Sequence, residues 1–166
     1  AVGMITGTVK GDLVWTKNGP AVIEIACRLS GGYFSSIQCP AATGVDMVGI
    51  AIRLALGESV SREEAQPRQQ SGCAIRYLWI EPGRVKSIEG MEAARKADGV
   101  IQLDIAAKPG DTLSAVTNHT HRAGSVITTG ATRAEAVARA EAAIRMIRIV
   151  TEPPRPAWNP EHLLGE

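Results

Sequence analysis

Residues 10–32 read KGDLVWTKNGPAVIEIACRLSGG, and the reading of this stretch decides the fold. Residues 11–16 alternate and are rich in β-formers, Lys17, Asn18 and Gly19 supply turn chemistry, and residues 21–28 run as a second strand. Together they predict a β-hairpin. Glu24 stands among apolar neighbours there, and a charge on such a strand is costly without a partner. The two-residue strand period puts it on one face with Ala26 and Arg28. Asp12 lies across the turn, and the register decides whether the two acids meet. A two-residue loop at Asn18 and Gly19 sets Asp12 opposite Ile25. A three-residue loop, with Gly19 left-handed in a bulge, pairs Thr16 with Pro20 and Asp12 with Glu24. Opposed Cβ atoms sit about 5 Å apart, the reach for two carboxylates to share a hard cation. The other reading is a surface Asp12, with Glu24 ion-paired to Arg28. Both stay open.

Outward from the hairpin, the chain opens on the apolar residues Ala1, Val2, Met4 and Ile5, which need partners expected to lie upstream. A fragment, a processed product or one half of a split enzyme is the expectation. Residues 29–36 are a Gly- and Ser-rich loop. Thr43 with Asp46 resembles a capping box opening a helix over 45–56 that is apolar on nearly every side, expected to be buried between layers and stopped by Gly57. Residues 58–72 turn polar, and a domain boundary is expected there.

A second unit follows. Strands are expected at 73–80, 100–106, 111–117 and 125–129, with a short helix or helical turn over 87–97. The unit closes on a helix with a Thr132–Glu135 capping box. One face of it carries Val137, Ala140, Ile144 and Ile147, and Glu135–Arg139 and Glu141–Arg145 are favourable i,i+4 pairs. The fold class is α+β, divided as 1–58, a linker at 59–72, a small domain at 73–150 and an extended tail at 151–166, docked through Trp158.

The formal net charge is +1. That argues against a broad electrostatic surface for nucleic acid or anionic lipid. No apolar run reaches the roughly 18 residues of a membrane span. Cys27, Cys39 and Cys73 are an odd number with no Cys-x-x-Cys pair, so neither a disulfide framework nor a zinc site is suggested, and a cytoplasmic home is expected.

Asp12, then VIEIACR ending at Arg28, then Ser30, Gly31 and Gly32 resembles the late segment of ATP-grasp enzymes. Residues 43–58, TGVDMVGIAIRLALGE, resemble the helix that follows in the carbamoyl-phosphate-synthase-like and L-amino-acid-ligase-like branch. Residues 73–150 resemble that branch's small C-terminal domain, through Pro82, Gly83, Asp98, Gly99, Val100, Gly110, Asp111 and the GSVITTG run before a capped helix. The resemblance takes in all but the tail.

It implies the C-terminal lobe of an ATP-grasp domain, an antiparallel sheet with a buried helix, followed by a small α+β domain. Asp12 and Glu24 would be magnesium ligands and Arg28 would steady phosphate charge, a role its bidentate fork suits. Apart from the resemblance, Lys10 stands two residues before Asp12, where the strand period allows it to meet ATP phosphate, although a solvated lysine is the simpler reading. Ser30, Gly31 and Gly32 would approach the acceptor substrate with bare backbone N–H groups. Ala26 stands where the family pattern has Asn, and alanine offers no oxygen to a metal. The nucleotide-clamping lysines precede this segment in the family, so the isolated chain is expected to be inactive.

The implied reaction is ATP-driven activation of a small-molecule carboxylate to an acylphosphate, then attack by an amine or ammonia. The expected partner is the missing N-terminal ATP-grasp lobe, on the same or a separate chain; a homodimer is left open. The alternative is a non-catalytic binding or assembly module. His119 and His121 share an expected strand face, but a polar hairpin tip is the simpler reading. Arg53 is expected to pair with a carboxylate, Cys27 to be a buried structural thiol, and Cys39 has no role assigned.

Overall fold

The computed structural model describes residues 3–152. Strands β1 (Lys10–Thr16) and β2 (Gly19–Ala26) form an antiparallel hairpin. Its turn is neither of the two expected. Lys17 and Asn18 alone make the loop, Thr16 pairs with Gly19, and the Thr16 hydroxyl accepts from the Asn18 amide at 3.1 Å and donates to the Gly19 carbonyl at 2.8 Å. That register would set Asp12 opposite Ile23. It does not, because the pairing shifts between Asp12 and Leu13: Leu13 faces Val22, Asp12 faces Glu24, and Ile23 is the extra residue of a bulge. The two acids are opposed, but the bulge that opposes them lies inside β2.

The hairpin exposes apolar side chains that a sheet normally covers. Trp15 is 82% exposed and Ile23 71%, with Leu13, Val14, Val22 and Ile25 also exposed. No third strand joins this sheet among the described residues. A lone two-stranded hairpin is marginal in water, so its apolar surface calls for a covering element.

The loop after β2 is more ordered than its composition suggests. Tyr33 takes a left-handed φ of 64° and leads into a π-helical turn at Phe34–Gln38, then helix α1 at Cys39–Thr43. Helix α2 runs Met47–Ala55 and is capped by Asp46, whose carboxylate accepts from the Gly49 amide at 2.8 Å. Thr43, expected as the cap, bonds the Val45 amide and the Cys39 carbonyl instead. A side chain at 49 would place Cβ 2.2 Å from the Asp46 carboxylate, so any other residue there would make the capping side chain shift. No residue of α2 is fully buried, and Ile52 is exposed; among the described residues of the first unit, the only apolar one in the buried core is the preceding Val45.

The chain divides into units at Cys73 and Ala74. The polar stretch 59–72 falls in the first unit and is strapped to it. The Arg53 guanidinium reaches Glu58 at 3.0 Å, the Ser59 carbonyl at 3.0 Å, and Glu64. The Arg68 amide bonds the Thr43 carbonyl at 2.8 Å, and the Ser71 amide the Ala42 carbonyl at 2.9 Å. The Glu64 carboxyl is held below its ordinary value, first by Arg53 and then by the Ser61 amide. A depressed folded value means that the strap's stabilisation is complete above the unfolded carboxylate range and is lost as pH falls through the folded value. As pH falls below the ordinary carboxylate range, hydrogen-exchange protection at Ser61 and Arg68 should therefore fall before that of the second unit's strands. Protection that holds constant as pH falls would mean that the Arg53–Glu64 pair does not fasten the strap.

The second unit holds two three-stranded sheets. One has the order β3-β7-β5, from β3 (Gly72–Tyr77), β5 (Val100–Ile105) and β7 (Gly124–Gly130). The other has the order β6-β4-β8, from β4 (Gly83–Glu89), β6 (Thr112–Leu113) and β8 (Arg148–Glu152). Ser125, Val126, Ile127 and Thr128 of β7 are all buried, as suits a central strand. Helix α4 (Arg133–Met146) lies on it through Ala136, Ala140 and Ala143, small residues that let a helix approach a sheet closely. The Thr128 hydroxyl donates to the Ala136 carbonyl at 2.6 Å. Thr132 caps α4 by accepting from the Glu135 amide.

Several expectations need correction here. Residues 83–89 are strand β4 where a helix was expected from Ser87; the helix, α3, is only Met91–Arg95. Residues 148–152 are strand β8, so Thr151 and Glu152 are not tail; the rest of the expected tail, Trp158 included, lies outside the described residues. Glu135 does pair with Arg139, at 2.8 Å, but Glu141 meets Arg76 at 3.5 Å. His119–His121 is a single 3-10 turn. No helix among the described residues is long and apolar enough to cross a membrane.

Candidate active site

The bulge at Ile23 gathers three charged side chains. Asp12 faces Glu24, and Lys10, two residues before Asp12, faces Ala26. The Lys10 ammonium donates to the Asp12 carboxylate and lies 3.3 Å from a Glu24 oxygen. Its side chain is 18% exposed, whereas the two carboxylates are about half exposed. The alanine opposite Lys10 leaves room for the long stem to fold along the strand toward the acids. The Asp12 hydrogen bond holds the ammonium above its ordinary range; partial burial opposes this and Glu24 adds to it. The pairing therefore favours the protonated amine.

The remaining candidates follow β2 directly and turn to other partners. Arg28 lies past the end of the strand, and its guanidinium donates to the Leu29 carbonyl at 3.0 Å. The Ser30 amide, expected to be bare, donates to the hydroxyl of buried Ser35 at 2.9 Å. The Gly31 and Gly32 carbonyls accept from the Phe34 amide and the Gln38 side chain. The Ser30 amide is therefore already engaged within the loop.

The carboxylates opposed here are Asp12 and Glu24. Among the described residues, no group of three or more His, Cys, Asp or Glu side chains converges. The donor set fits a small hard cation such as magnesium, which keeps several waters and takes one or two carboxylates plus substrate phosphates. His119 and His121 do not form a second centre. The His121 ring bonds Thr117 at 3.1 Å, and Asn118 accepts from the Thr120 amide, which makes the segment a self-bonded polar tip. Cys27, expected to be buried, is exposed; Cys39 is half-buried beside the Thr43 hydroxyl.

The sequence reading missed a groove of about 540 Å³ in the second unit, lined by Ile75, Arg76, Tyr77, Trp79 and the α4 residues Glu141, Ile144 and Arg145. Trp79 is 79% exposed, and the Arg122 guanidinium stacks 3.9 Å from the centre of the Tyr77 ring. Tyr77 and Trp79 flanking Leu78 were the available signal.

Comparison with known proteins adds relatives to this geometry. Residues 76–152 match the family described as L-amino acid ligase C-terminal domain 2. The uncharacterized protein y4rH of Sinorhizobium fredii is 27% identical over 136 residues, which are 82% of this chain and 28% of that protein. Phosphoribosylglycinamide synthetase from Anaerococcus prevotii superposes with a TM-score of 0.75 at 16% identity, over 87% of this chain and 37% of that one. L-amino acid ligase from Bacillus licheniformis superposes with a TM-score of 0.73 at 19% identity, over 90% of this chain and 37% of that one. The biotin carboxylase domain of Hydrogenobacter thermophilus 2-oxoglutarate carboxylase, solved with MgADP and bicarbonate, gives 0.62 at 17% identity, over 86% and 32%. This chain thus spans between 28% and 37% of the length of these relatives.

Proposed function

For a chain that carries the C-terminal fold of ATP-grasp ligases, with an L-amino acid ligase C-terminal domain 2 at residues 76–152, we propose a part in ATP-dependent joining of a carboxylate to an amine. The chain would supply the metal-holding, phosphate-facing end of the active site, and an upstream ATP-grasp region the nucleotide clamp. The observation that carries this reading is the opposition of Asp12 and Glu24 across the Ile23 bulge, on an exposed sheet face.

Each residue has a definable task in it. Asp12 and Glu24 would hold a magnesium ion, which when bound neutralises phosphate charge. Arg28 can present two parallel N–H donors to phosphoryl oxygens once its guanidinium leaves the Leu29 carbonyl. Gly31 and Gly32 lack side chains, so an acceptor substrate can approach their backbone closely. None of these groups is a strong general base, which suits phosphoryl transfer governed by positioning and electrostatics.

The test is reconstitution. Joined to an upstream ATP-grasp region, in one polypeptide or by co-expression, the chain should release ADP in a reaction that needs magnesium, an amino acid carboxylate and an amine. The chain by itself should release none. A folded, ATP-binding reconstituted protein that releases no ADP with any amino acid pair would support the second reading, an assembly module. That reading draws on Ala26, which gives a metal no oxygen, and on the apolar hairpin surface around Trp15 and Ile23.

A further inference from the structure

Two carboxylates on directly opposed strand residues, whose Cβ atoms sit about 5 Å apart, repel unless a cation lies between them. In this chain the cation present is Lys10. Its ammonium contacts Asp12 and Glu24 together, its stem is the most enclosed part of the cluster, and Ala26 opposite gives it the space. An ammonium is a compact point charge on a flexible four-carbon stem, so it can hold such a pair and also leave it. The acids remain about half exposed, which keeps their oxygens open to solvent and to a second cation.

We propose that Lys10 is the resident counter-ion of the Asp12–Glu24 pair and competes with a divalent cation for the same carboxylate oxygens. This rests on the metal role proposed for the two acids. In the metal-free protein Lys10 keeps the bulged hairpin from splaying by charge repulsion. When a divalent cation takes the pair, the ammonium is expelled toward the open face, where the cation's anionic ligands arrive. Lys10 therefore sets a threshold: metal alone binds weakly, and metal accompanied by phosphates binds well. That differs from a lysine that serves only as a phosphate ligand, because removing such a lysine leaves the affinity for bare metal unchanged.

The test is direct metal binding, without nucleotide or turnover. Manganese is titrated into the full chain and followed by electron paramagnetic resonance, with Lys10→Gln, Lys10→Arg and Asp12→Asn beside the unaltered protein. Removing two exposed ion pairs predicts that Lys10→Gln binds manganese about three- to tenfold more tightly. Lys10→Arg should stay close to the unaltered chain, and Asp12→Asn should lose the binding. If Asp12→Asn weakens binding but Lys10→Gln does not tighten it, the competition is wrong and the metal site stands. If Asp12→Asn changes nothing, or no variant binds manganese, the metal site itself is wrong and the proposal goes with it. A second readout uses the unaltered chain alone: the Lys10 side-chain NMR signal, assigned against Lys10→Arg, should move on magnesium addition. A signal that stays in place at saturating magnesium overturns the competition even if Lys10→Gln fails to fold.

Discussion

Glu24→Gln should lower ATP-dependent ADP release by the reconstituted ligase about a hundred- to a thousandfold, the scale on which removal of one fixed electrostatic partner acts on a transition state. The substitution keeps the shape and removes the charge. Because Glu24 is about half exposed, the amide is solvated and the hairpin should fold as before, so circular dichroism and the melting temperature should be nearly unchanged. Asp12→Asn should do comparable damage, since the two acids face each other and serve one ion. Arg28→Lys should differ in kind: kcat should fall more than the affinity for ATP, because a point charge cannot reproduce a two-pronged contact on a moving phosphoryl group. Steady-state kinetics with varied ATP and magnesium separates these effects. Near-normal turnover by Glu24→Gln would remove the catalytic assignment and leave the assembly module.

The second large effect concerns stability and lies in the other unit. Gly90 caps α3 with φ at 79°, and a Cβ there would stand 1.8 Å from the Met146 carbonyl oxygen and 2.8 Å from its carbon. Those are backbone atoms at the end of α4, so no rotamer change relieves the overlap. Gly90→Ala should cost about 3 kcal/mol or more, combining a left-handed alanine with displacement of the α4–β8 junction. Gly110→Ala is the control. Its φ is also positive, at 97°, but open space surrounds its Cβ position, so the backbone penalty of about 1 kcal/mol should stand alone. Urea unfolding of the two variants, read as a difference in midpoint, decides it. Equal losses would show that the contact with Met146 yields easily.

The hairpin was legible because alternation and turn residues coincide over 11–28, and Glu24 is conspicuous among its apolar neighbours. The register was only half legible. The turn residues allow two loop lengths, yet the deciding irregularity is Ile23, a β-branched residue that nothing local marks as a bulge. Strand β4 was hidden by the helix formers that follow it. Its own signal, buried Gly83 and Val85 alternating with exposed Arg84 and Lys86, is broken by a second register shift between Val85 and Ser87. Strand β8 was masked by running the α4 pattern onward through Ile147, although Ile149, Val150 and Thr151 form a β-branched run. Lys10 was visible on the acids' face, but its attachment to both carboxylates needs the bulge that brings Glu24 level with Asp12.

The pairing of β4 with β8 bears on how the chain matures during synthesis. Arg84 ends up beside Glu152, and Glu89 beside Arg148, so β4 is translated long before the strand it needs. Until then its longest edge is open and its one other partner is the two-residue β6. Contacts so distant along the chain form slowly, and an unpaired edge is an invitation to wrong neighbours. On the ribosome, the second unit should therefore stay protease-sensitive and available to chaperones until β8 clears the exit tunnel, then close in one step.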